Sequence, residues 1–472
     1  MTDLSPRERL LTRIAAMQAA RARGVDFSAG LCAVALICMT FAASGASYTP
    51  VVDFSMVHRL NAGLTRDPLA IIGTIGTGLS GVIALLAIAQ NRIRPTLIAL
   101  TSIAFCAYST LSIAWGVFSI SSLGEGIKGI AYVIAIPYCI QSLGPRRAAV
   151  CLLYTLVAIL VGSGALCLTD KRFATDGYAV VHFEWRSTSD VLGWRGLFTQ
   201  KNWLAMSCLS TLLFQIFTFR QFRRSPTYWL LTAITLVLLY ESKGKTAEMV
   251  SAIVLSAVAV LFINRRFFKI DMRVVVFLGI GLTLAFIAAA YTGLILKGFD
   301  WTFTHRTIIW QEYWKLSTQK PVFGYGSGGT WQEDEIFGEL RQNAKGMTSA
   351  HNSYLAMLFS GGFTVLALFA LWLFAILREI FAGGADWYSK VVAFFAIVAG
   401  LILAMFEAMF SPNIANSFAA FILVFGITYM RAVTPAASAQ PTVSAPQRPV
   451  ARTRRPPGAP PSAATASPRR RR

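Results

Sequence analysis

Long apolar stretches recur along the whole 472-residue chain, and they constrain its fold more than any other feature. A helix that spans a bilayer needs about 20 consecutive, mostly apolar residues. The segments that meet or approach this length lie near 29–47, 68–88, 95–116, 126–143, 148–168, 202–219, 227–240, 247–263, 274–296, 352–376, 390–410 and 415–430. The pattern predicts an all-α, polytopic integral membrane protein with about twelve transmembrane helices.

The composition excludes the other classes of protein that a net charge of +21 would suggest. Only 14% of the residues are charged, whereas 55% are hydrophobic. A nucleic-acid-binding protein this basic would carry far more charged side chains, and a soluble globule could not bury so much apolar surface. We therefore expect the lipid bilayer to be a partner and expect no nucleic acid.

The distribution of basic residues indicates the orientation, because positively charged loops stay in the cytoplasm. With the N-terminus inside, the cytoplasmic segments hold 27 basic residues against 6 acidic ones. The opposite side holds 16 basic and 15 acidic residues, and Glu407 lies within a span. The asymmetry predicts that both termini are cytoplasmic. Residues 41–47 resemble a signal-peptidase site, but the long apolar run before them favours an uncleaved first span.

These spans and loops divide the chain into five predicted parts. They are a cytoplasmic N-terminal segment at 1–28, transmembrane helices 1–9 at 29–296 with an outer loop at 169–201, a large outer loop at 297–351, transmembrane helices 10–12 at 352–430, and a disordered cytoplasmic tail at 431–472. From residue 434 onward the tail holds nine of the 18 prolines and eight arginines, and it holds no acid. Such a composition cannot pack a core.

The seven cysteines all fall within predicted spans. They are Cys32, Cys38, Cys106, Cys139, Cys151, Cys167 and Cys208. Since none lies in an outer loop, the sequence predicts no disulfide framework and no CxxC metal site. We expect these thiols to act as small apolar packing groups.

Several outer segments bring cations toward the same predicted membrane face. The residues concerned are Arg195, Lys201, Lys243, Lys245, Arg306 and His351. Taken singly, each is more often an anchoring residue or a polar cap than a functional group. Together they predict a site for an anionic, lipid-borne substrate, because a diphosphate needs two or more cations. A neutral imidazole at position 351 could accept a proton from a hydroxyl group.

The second loop also holds a predicted amphipathic helix and a glycine-rich turn. Between 304 and 316 the helical spacing places Ile309, Tyr313 and Leu316 on one face, which is typical of an interfacial helix. Residues 324–329 match G-x-G-x-x-G, but no strand precedes them and no βαβ unit surrounds them, which excludes a dinucleotide site. Residues 241–246 end like a P-loop, but position 239, where a P-loop has its first glycine, is Leu, so this motif is excluded too.

The ordered set of motifs resembles the O-antigen ligase and O-antigen polymerase superfamily, which also includes exopolysaccharide polymerases. The matching pieces are Trp115, residues 195–202, residues 242–244, Arg306 with Trp310, residues 321–326 and residues 351–355. They occur in the expected order over about residues 115–375. Position 200 is Gln where relatives often have His, and position 243 is Lys where they often have Arg.

The resemblance implies a GT-C-like glycosyltransferase that inverts the anomeric centre without a metal or a cofactor. The donor would be a glycan on undecaprenyl pyrophosphate at the periplasmic face of the bacterial inner membrane. If the family's residue roles apply at the matching positions, Arg195 and Arg306 would bind the pyrophosphate and His351 would help to activate the acceptor hydroxyl. The other predicted substrate-binding residues are Lys201, Asn202, Lys243, Lys245, Trp310 and Asn352.

We consider three candidate functions and favour the first of them. The first is polymerisation of exopolysaccharide or O-antigen, and the second is ligation of the glycan to lipid A core. The third, a transporter or flippase, is disfavoured because the cations cluster at one rim and not at mid-membrane. The expected partners are the lipid-linked donor, a glycan or lipid acceptor and the bilayer, with polysaccharide export or chain-length proteins as further candidates.

Overall fold

A computed structural model describes residues 28–46, 69–92, 96–116, 120–174, 193–198, 200–263, 267, 274, 306–326, 350–382, 387–407 and 417–433. This part of the chain contains helices and connecting segments and no strand, which confirms the all-α prediction there. The helices are α1 (Ser28–Ser44), α2 (Ala70–Ala89), α3 (Leu97–Leu111), α4 (Ile120–Leu143), α5 (Pro145–Thr169), α6 (Lys171–Ala174), α7 (Lys201–Phe222), α8 (Pro226–Glu241), α9 (Lys245–Ile263), α10 (Arg306–Ser317), α11 (Ser353–Ala382), α12 (Trp387–Ala404) and α13 (Phe418–Val433).

Eleven of the twelve predicted apolar segments coincide with helices, and the twelfth, 274–296, lies outside the described residues except for residue 274. Six helices in the described ranges are long and apolar enough to cross a membrane, namely α2, α3 with its following 3-10 turn, α4, α5, α7 and α11. Helices α1, α12 and α13 are apolar but shorter. The total of twelve spans and the likeness to GT-C enzymes stay predictions.

Outward-facing side chains on these helices are apolar, as a lipid environment requires. Leu85 on α2 is 67% exposed and Leu168 on α5 is 76% exposed. Exposed apolar faces of this kind mark contact with a membrane. The predicted N-terminal segment, most of both outer loops and the tail from 434 onward fall outside the described residues, so their boundaries stay predictions.

Local sequence signals explain where several helices begin. Thr96 caps α3, since its hydroxyl oxygen accepts a hydrogen bond from the Ala99 amide at 3.1 Å. Pro145 and Pro226 occupy the first positions of α5 and α8, where a missing amide N–H costs nothing. All seven cysteines lie within the described helices as free thiols, and six are buried, as expected for packing residues.

Helix α7 lies at the centre of the bundle. In its most apolar window 72% of the residues are buried within the protein, against 28% for α2. It packs against α5, α8, α9, α12 and α13. Small residues allow this: a Cβ at Gly426 would lie 2.6 Å from the ring of Phe217, and one at Gly244 would lie 2.4 Å from Ala205. This enclosed helix therefore begins with Lys201 and Asn202.

Helix α11 contains a break, and a segment of the predicted outer loop at 297–351 packs into it. Gly362 has φ 59° and ψ −158°, which interrupts the helix. Residues 321–326, which we call the strap, fill this break and satisfy its backbone groups. Amides of Tyr325 and Gly326 donate to Phe359 O and Ser360 O (both 2.9 Å), while amides of Phe363 and Thr364 donate to Pro321 O (2.7 Å) and Val322 O (3.2 Å). The G-x-G turn thus binds the protein's own carbonyls.

The end of α3 also holds the strap. The Tyr108 hydroxyl donates to Phe323 O at 2.8 Å and to Gly361 O at 3.2 Å. The Trp115 indole N–H donates to Phe323 O at 3.0 Å. These donors come from α3 and from the turn that follows it. Helix α3, the strap and the break in α11 therefore form one hydrogen-bonded unit.

Helix α10 confirms the predicted face but not its predicted surroundings. Ile309 and Tyr313 are buried, and Leu316 packs beside them. Their partners are Tyr325 of the strap and Phe359 of α11. The predicted interfacial face is therefore covered by protein, because the break in α11 offers it an aromatic surface. Helical spacing shows which face of α10 is apolar. It does not show what covers that face, because this depends on the pairing of α10 with the distant helix α11.

We expect Gly362→Ala to destabilise the protein by on the order of 1–3 kcal/mol. The backbone conformation at this position is restricted to glycine, and a Cβ would lie 2.4 Å from the carbonyl oxygens of Pro321 and Val322. Gly78→Ala in α2 is the matched control, since its Cβ would meet nothing within 4 Å. The thermal unfolding midpoint of each purified variant in detergent measures the effect. Equal midpoints for both variants would contradict the role of the break.

Candidate functional site

Segments far apart in sequence meet around the first turn of α7. The Trp194 amide donates to Glu241 O at 2.9 Å, which joins the 193–198 segment to the end of α8. A Cβ at Gly193 would lie 2.6 Å from Ser242 O and 2.8 Å from the Lys201 side chain. The segments that carry Arg195, Lys201 and Lys243, three of the predicted site residues, are therefore neighbours in space.

Arg195 lies inside the protein. Its side chain is 0% exposed, its Nη1 donates to Phe198 O at 3.0 Å, and its guanidinium lies 4.9 Å from the centre of the Phe173 ring. A buried guanidinium must be hydrogen-bonded to be stable, and Arg is the cation best suited to that task. Its predicted contact with a pyrophosphate stays a prediction, and such a ligand would have to reach into this enclosed position.

Close packing fixes the backbone on either side of Arg195. The amides of Arg195 and Gly196 both donate to Phe173 O at 3.1 Å. Gly196 has φ 54°, and a Cβ there would lie 2.4 Å from the Ser163 side chain. The Ser163 hydroxyl accepts from the Leu197 amide at 3.2 Å. The sequence motif around 195–198 therefore seats this segment against α5.

The lysines of the 243–245 turn have different surroundings. Lys243 has a left-handed backbone (φ 55°), and its ammonium lies 4.3 Å from the centre of the Tyr240 ring. Lys245 is largely exposed and pairs with Glu248 at 3.0 Å. This carboxylate neutralises part of the charge that we predicted for substrate binding. Lys201, the first residue of α7, is half-buried against Gly193.

His351, Glu407 and Asn202 form a chain of hydrogen bonds at the start of α7 and α11. The Nδ1 atom of His351 lies 3.1 Å from Glu407 Oε2. The side-chain amide of Asn202 donates to the other oxygen, Oε1, at 3.1 Å. Glu407 is only 7% exposed, whereas the His351 side chain keeps 24% of its surface accessible. The imidazole is therefore held from the inside and remains reachable from the outside.

Backbone contacts hold the same three residues in place. His351 has φ 46°, in the left-handed region that is uncommon for residues other than glycine. The Ser353 hydroxyl, which is buried, donates to Glu407 O at 2.8 Å. Asn352, predicted to bind substrate, caps α11: its Oδ1 accepts from the Leu355 amide at 3.1 Å. Its described contact is thus structural, and a role toward substrate stays a prediction.

Helix α10 is attached to this group through Trp310. The indole N–H of Trp310 donates to Ala350 O at 2.9 Å, directly before His351. Arg306 is the first residue of α10, one turn before Trp310. The helix that carries Arg306 is thereby fixed to the residue next to the imidazole, and the predicted contact of Arg306 with pyrophosphate stays a prediction.

The tyrosines of this region are unsuited to acid–base chemistry. Burial raises the pKa of Tyr313 well above its ordinary value, and it also raises the pKa of Tyr325. Both phenols stay protonated at neutral pH. Among the groups described here, the imidazole of His351 is the one whose ring nitrogens can both accept and donate a proton.

Glu407 is the member of the group that sequence analysis missed. It appeared there only as a charge within a span. The signal was present, because an ionisable residue in an apolar run is costly and usually functional. Its partners could not be read from the sequence, since His351 and Asn202 lie 56 and 205 positions away.

Part of the chain matches the model of a known protein family. Residues 199–370 match the model of the family described as O-antigen ligase. The matched segment includes Asn202, Lys243, Trp310 and His351, while Arg195 and Glu407 lie outside it. No curated protein sequence matches the chain. Over residues 199–370 the chain is therefore similar to the O-antigen ligase family, which confirms the predicted resemblance to the O-antigen ligase and polymerase superfamily.

Proposed function

We propose that the protein is a glycosyltransferase that uses a glycan on undecaprenyl pyrophosphate, at the periplasmic face of the bacterial inner membrane, to polymerise exopolysaccharide or O-antigen. The observation that carries this proposal is the hydrogen-bonded chain from His351 through Glu407 to Asn202 within and beside the matched segment. A base of this kind suits the removal of a proton from a hydroxyl, which glycosyl transfer requires.

The proposed reaction breaks one bond and forms another. An acceptor hydroxyl attacks the anomeric carbon opposite the pyrophosphate, so the carbon–oxygen bond to the pyrophosphate breaks and the configuration inverts. His351 takes the hydroxyl proton, and undecaprenyl pyrophosphate leaves with the bonding electrons. Because Nδ1 of His351 faces Glu407, Nε2 is the atom that accepts the proton. The donor's own diphosphate linkage supplies the driving force.

Cationic side chains stabilise the leaving group in this proposal. Charge on the departing pyrophosphate grows in the transition state, and fixed cations lower the free energy of that state. Arg195, Arg306, Lys201 and Lys243 are the proposed sources, and of these the 195, 201 and 243 segments are in contact. Neutralisation by arginine and lysine supplies what a metal ion supplies in other transferases, so we propose a reaction that is independent of metal.

Ligation is the second candidate, because the matching family is described as O-antigen ligase. A ligase and a polymerase share the donor and the base, and they differ only in the acceptor. In the ligase, a hydroxyl of lipid A core would take the place of the hydroxyl of another lipid-linked repeat.

The two candidates are separated by supplying the purified protein with one lipid-linked repeat unit. We expect a ladder of lengthened products without any second acceptor, because a polymerase uses the repeat as both donor and acceptor. Product that forms only after lipid A core is added would establish ligation instead. Movement of the lipid-linked repeat across the bilayer of a vesicle, without a new glycosidic bond, would contradict both and support a flippase.

A further inference from the structure

The backbone at His351 is strained, and something must hold it there. Its φ of 46° lies in a region that a histidine adopts only when surrounding contacts over-determine it. The side chain is held by Glu407, but that contact does not fix the peptide group that precedes the residue. The carbonyl of that peptide belongs to Ala350, which is 1% exposed and accepts the Trp310 indole N–H at 2.9 Å.

We propose that Trp310 is a positioning residue for His351: its indole N–H holds the Ala350 carbonyl and thereby fixes the peptide plane from which the imidazole projects. This inference rests on the proposed function, in which His351 is the base. It departs from the sequence interpretation of Trp310 as a substrate-binding residue, because the polar atom of the indole is already used within the protein.

The surroundings of Trp310 make this hydrogen bond rigid. One turn further along α10, Tyr313 is fully buried against Phe359 of α11, with ring centres 5.4 Å apart. Tyr325 of the strap stacks on the same Phe359 at 4.8 Å, and its hydroxyl donates to Gln319 at 2.9 Å. Helix α10 therefore cannot shift along α11 without breaking these contacts, so Trp310 presents its N–H at a fixed height.

The arrangement has a consequence for catalysis. Trp310 lies one turn after Arg306, so the same helix carries both the proposed ligand of the leaving group and the contact that aims the base. The spacing between pyrophosphate and imidazole is then set by α10. A displacement of a catalytic group by about 1 Å can lower a rate about a hundredfold, whereas ground-state binding of the donor need not change.

The test compares Trp310→Phe with wild type in the transfer assay, with lipid-linked repeat as the varied substrate. Phenylalanine keeps an aromatic ring and removes the N–H. We expect kcat to fall by roughly 10- to 100-fold with KM within about twofold. Trp314→Phe is the matched control: this residue is on the same helix, is 55% exposed, and should leave both constants unchanged.

A second background makes the result specific to the base. In His351→Asn, which lacks the base, Trp310→Phe should cause no further loss of rate, because coupled residues are non-additive. The same loss in both backgrounds would overturn the proposal, as would a raised KM with kcat preserved, which indicates a substrate contact. An active wild type with an equally active Trp310→Phe would overturn it while leaving the proposed function intact, whereas an inactive wild type would overturn the function itself.

The variant's thermal midpoint shows whether a loss of rate reflects unfolding. Trp310→His is measured beside Trp310→Phe, because a ring N–H can still donate to the Ala350 carbonyl from a smaller side chain. Recovery of kcat above the phenylalanine variant supports the positioning role. Equal rates in the two variants contradict it.

Discussion

His351→Asn is expected to lower the rate of glycosyl transfer by on the order of 10²–10⁴-fold, the range typical of losing a general base. Asparagine is the appropriate substitution because it tolerates the left-handed backbone that this position requires. Its amide N–H can also still reach Glu407. The KM for the donor should change little, since the proposed pyrophosphate ligands are cations elsewhere. In cells, lipid-linked repeats should accumulate while long-chain glycan disappears.

His351→Ala provides the comparison that separates chemistry from folding. Alanine removes the imidazole as well, but it does not suit φ 46° and it removes the hydrogen bond between His351 and Glu407. We expect the alanine variant to match the asparagine variant in rate and to unfold at a lower temperature. Long-chain glycan at the wild-type level in both variants would contradict the assignment of His351 as the base.

Glu407→Gln should cause a loss of similar size, on the order of 10²–10⁴-fold in kcat. The two carboxylate oxygens accept from two donors, His351 and Asn202. Glutamine offers one acceptor oxygen and one amide group, so one donor loses its partner. If the amide faces His351, then Nδ1 becomes the acceptor and the proton moves to Nε2, which can no longer take a proton from the acceptor hydroxyl.

Glu379→Gln is the matched control for this carboxylate. Glu379 pairs with Arg431 at 3.0 Å, joining α11 to α13, and it has no contact with His351. Its variant should keep the wild-type kcat and KM. A Glu407→Gln protein with wild-type kcat would show that the hydrogen bond to His351 is structural and not part of the catalytic arrangement.

The helices were predictable because each depends on a local property of the chain. Runs of apolar residues, together with breakers such as Pro145 and Pro226, lie directly in the sequence. Even the buried face of α10, with Ile309 and Tyr313, followed from helical spacing. The bilayer acts as a uniform solvent for the long apolar runs, so no tertiary information is needed to recognise the spans.

The site was only partly predictable because its geometry depends on distant pairings. His351 was predicted to activate the acceptor hydroxyl, and that role stays a prediction. Its partner Glu407 follows α12, and only the packed helices bring the two together. Asn352 was assigned to substrate and is found as a helix cap. Arg195 was predicted to lie among the cations at one membrane rim, and its side chain is fully buried, with the guanidinium 4.9 Å from the centre of the Phe173 ring. Such differences arise from packing that no local pattern records.

Release of undecaprenyl pyrophosphate is the direct test of the proposed glycosyl transfer with His351 as the base. Purified protein is mixed with a lipid-linked repeat in the presence of a metal chelator, and both the released carrier and the new glycosidic bonds are counted by mass spectrometry. The account predicts one undecaprenyl pyrophosphate for each bond formed by wild type, and a release rate lowered on the order of 10²–10⁴-fold in His351→Asn. Bond formation without release of the carrier, or equal release by wild type and His351→Asn, would contradict it.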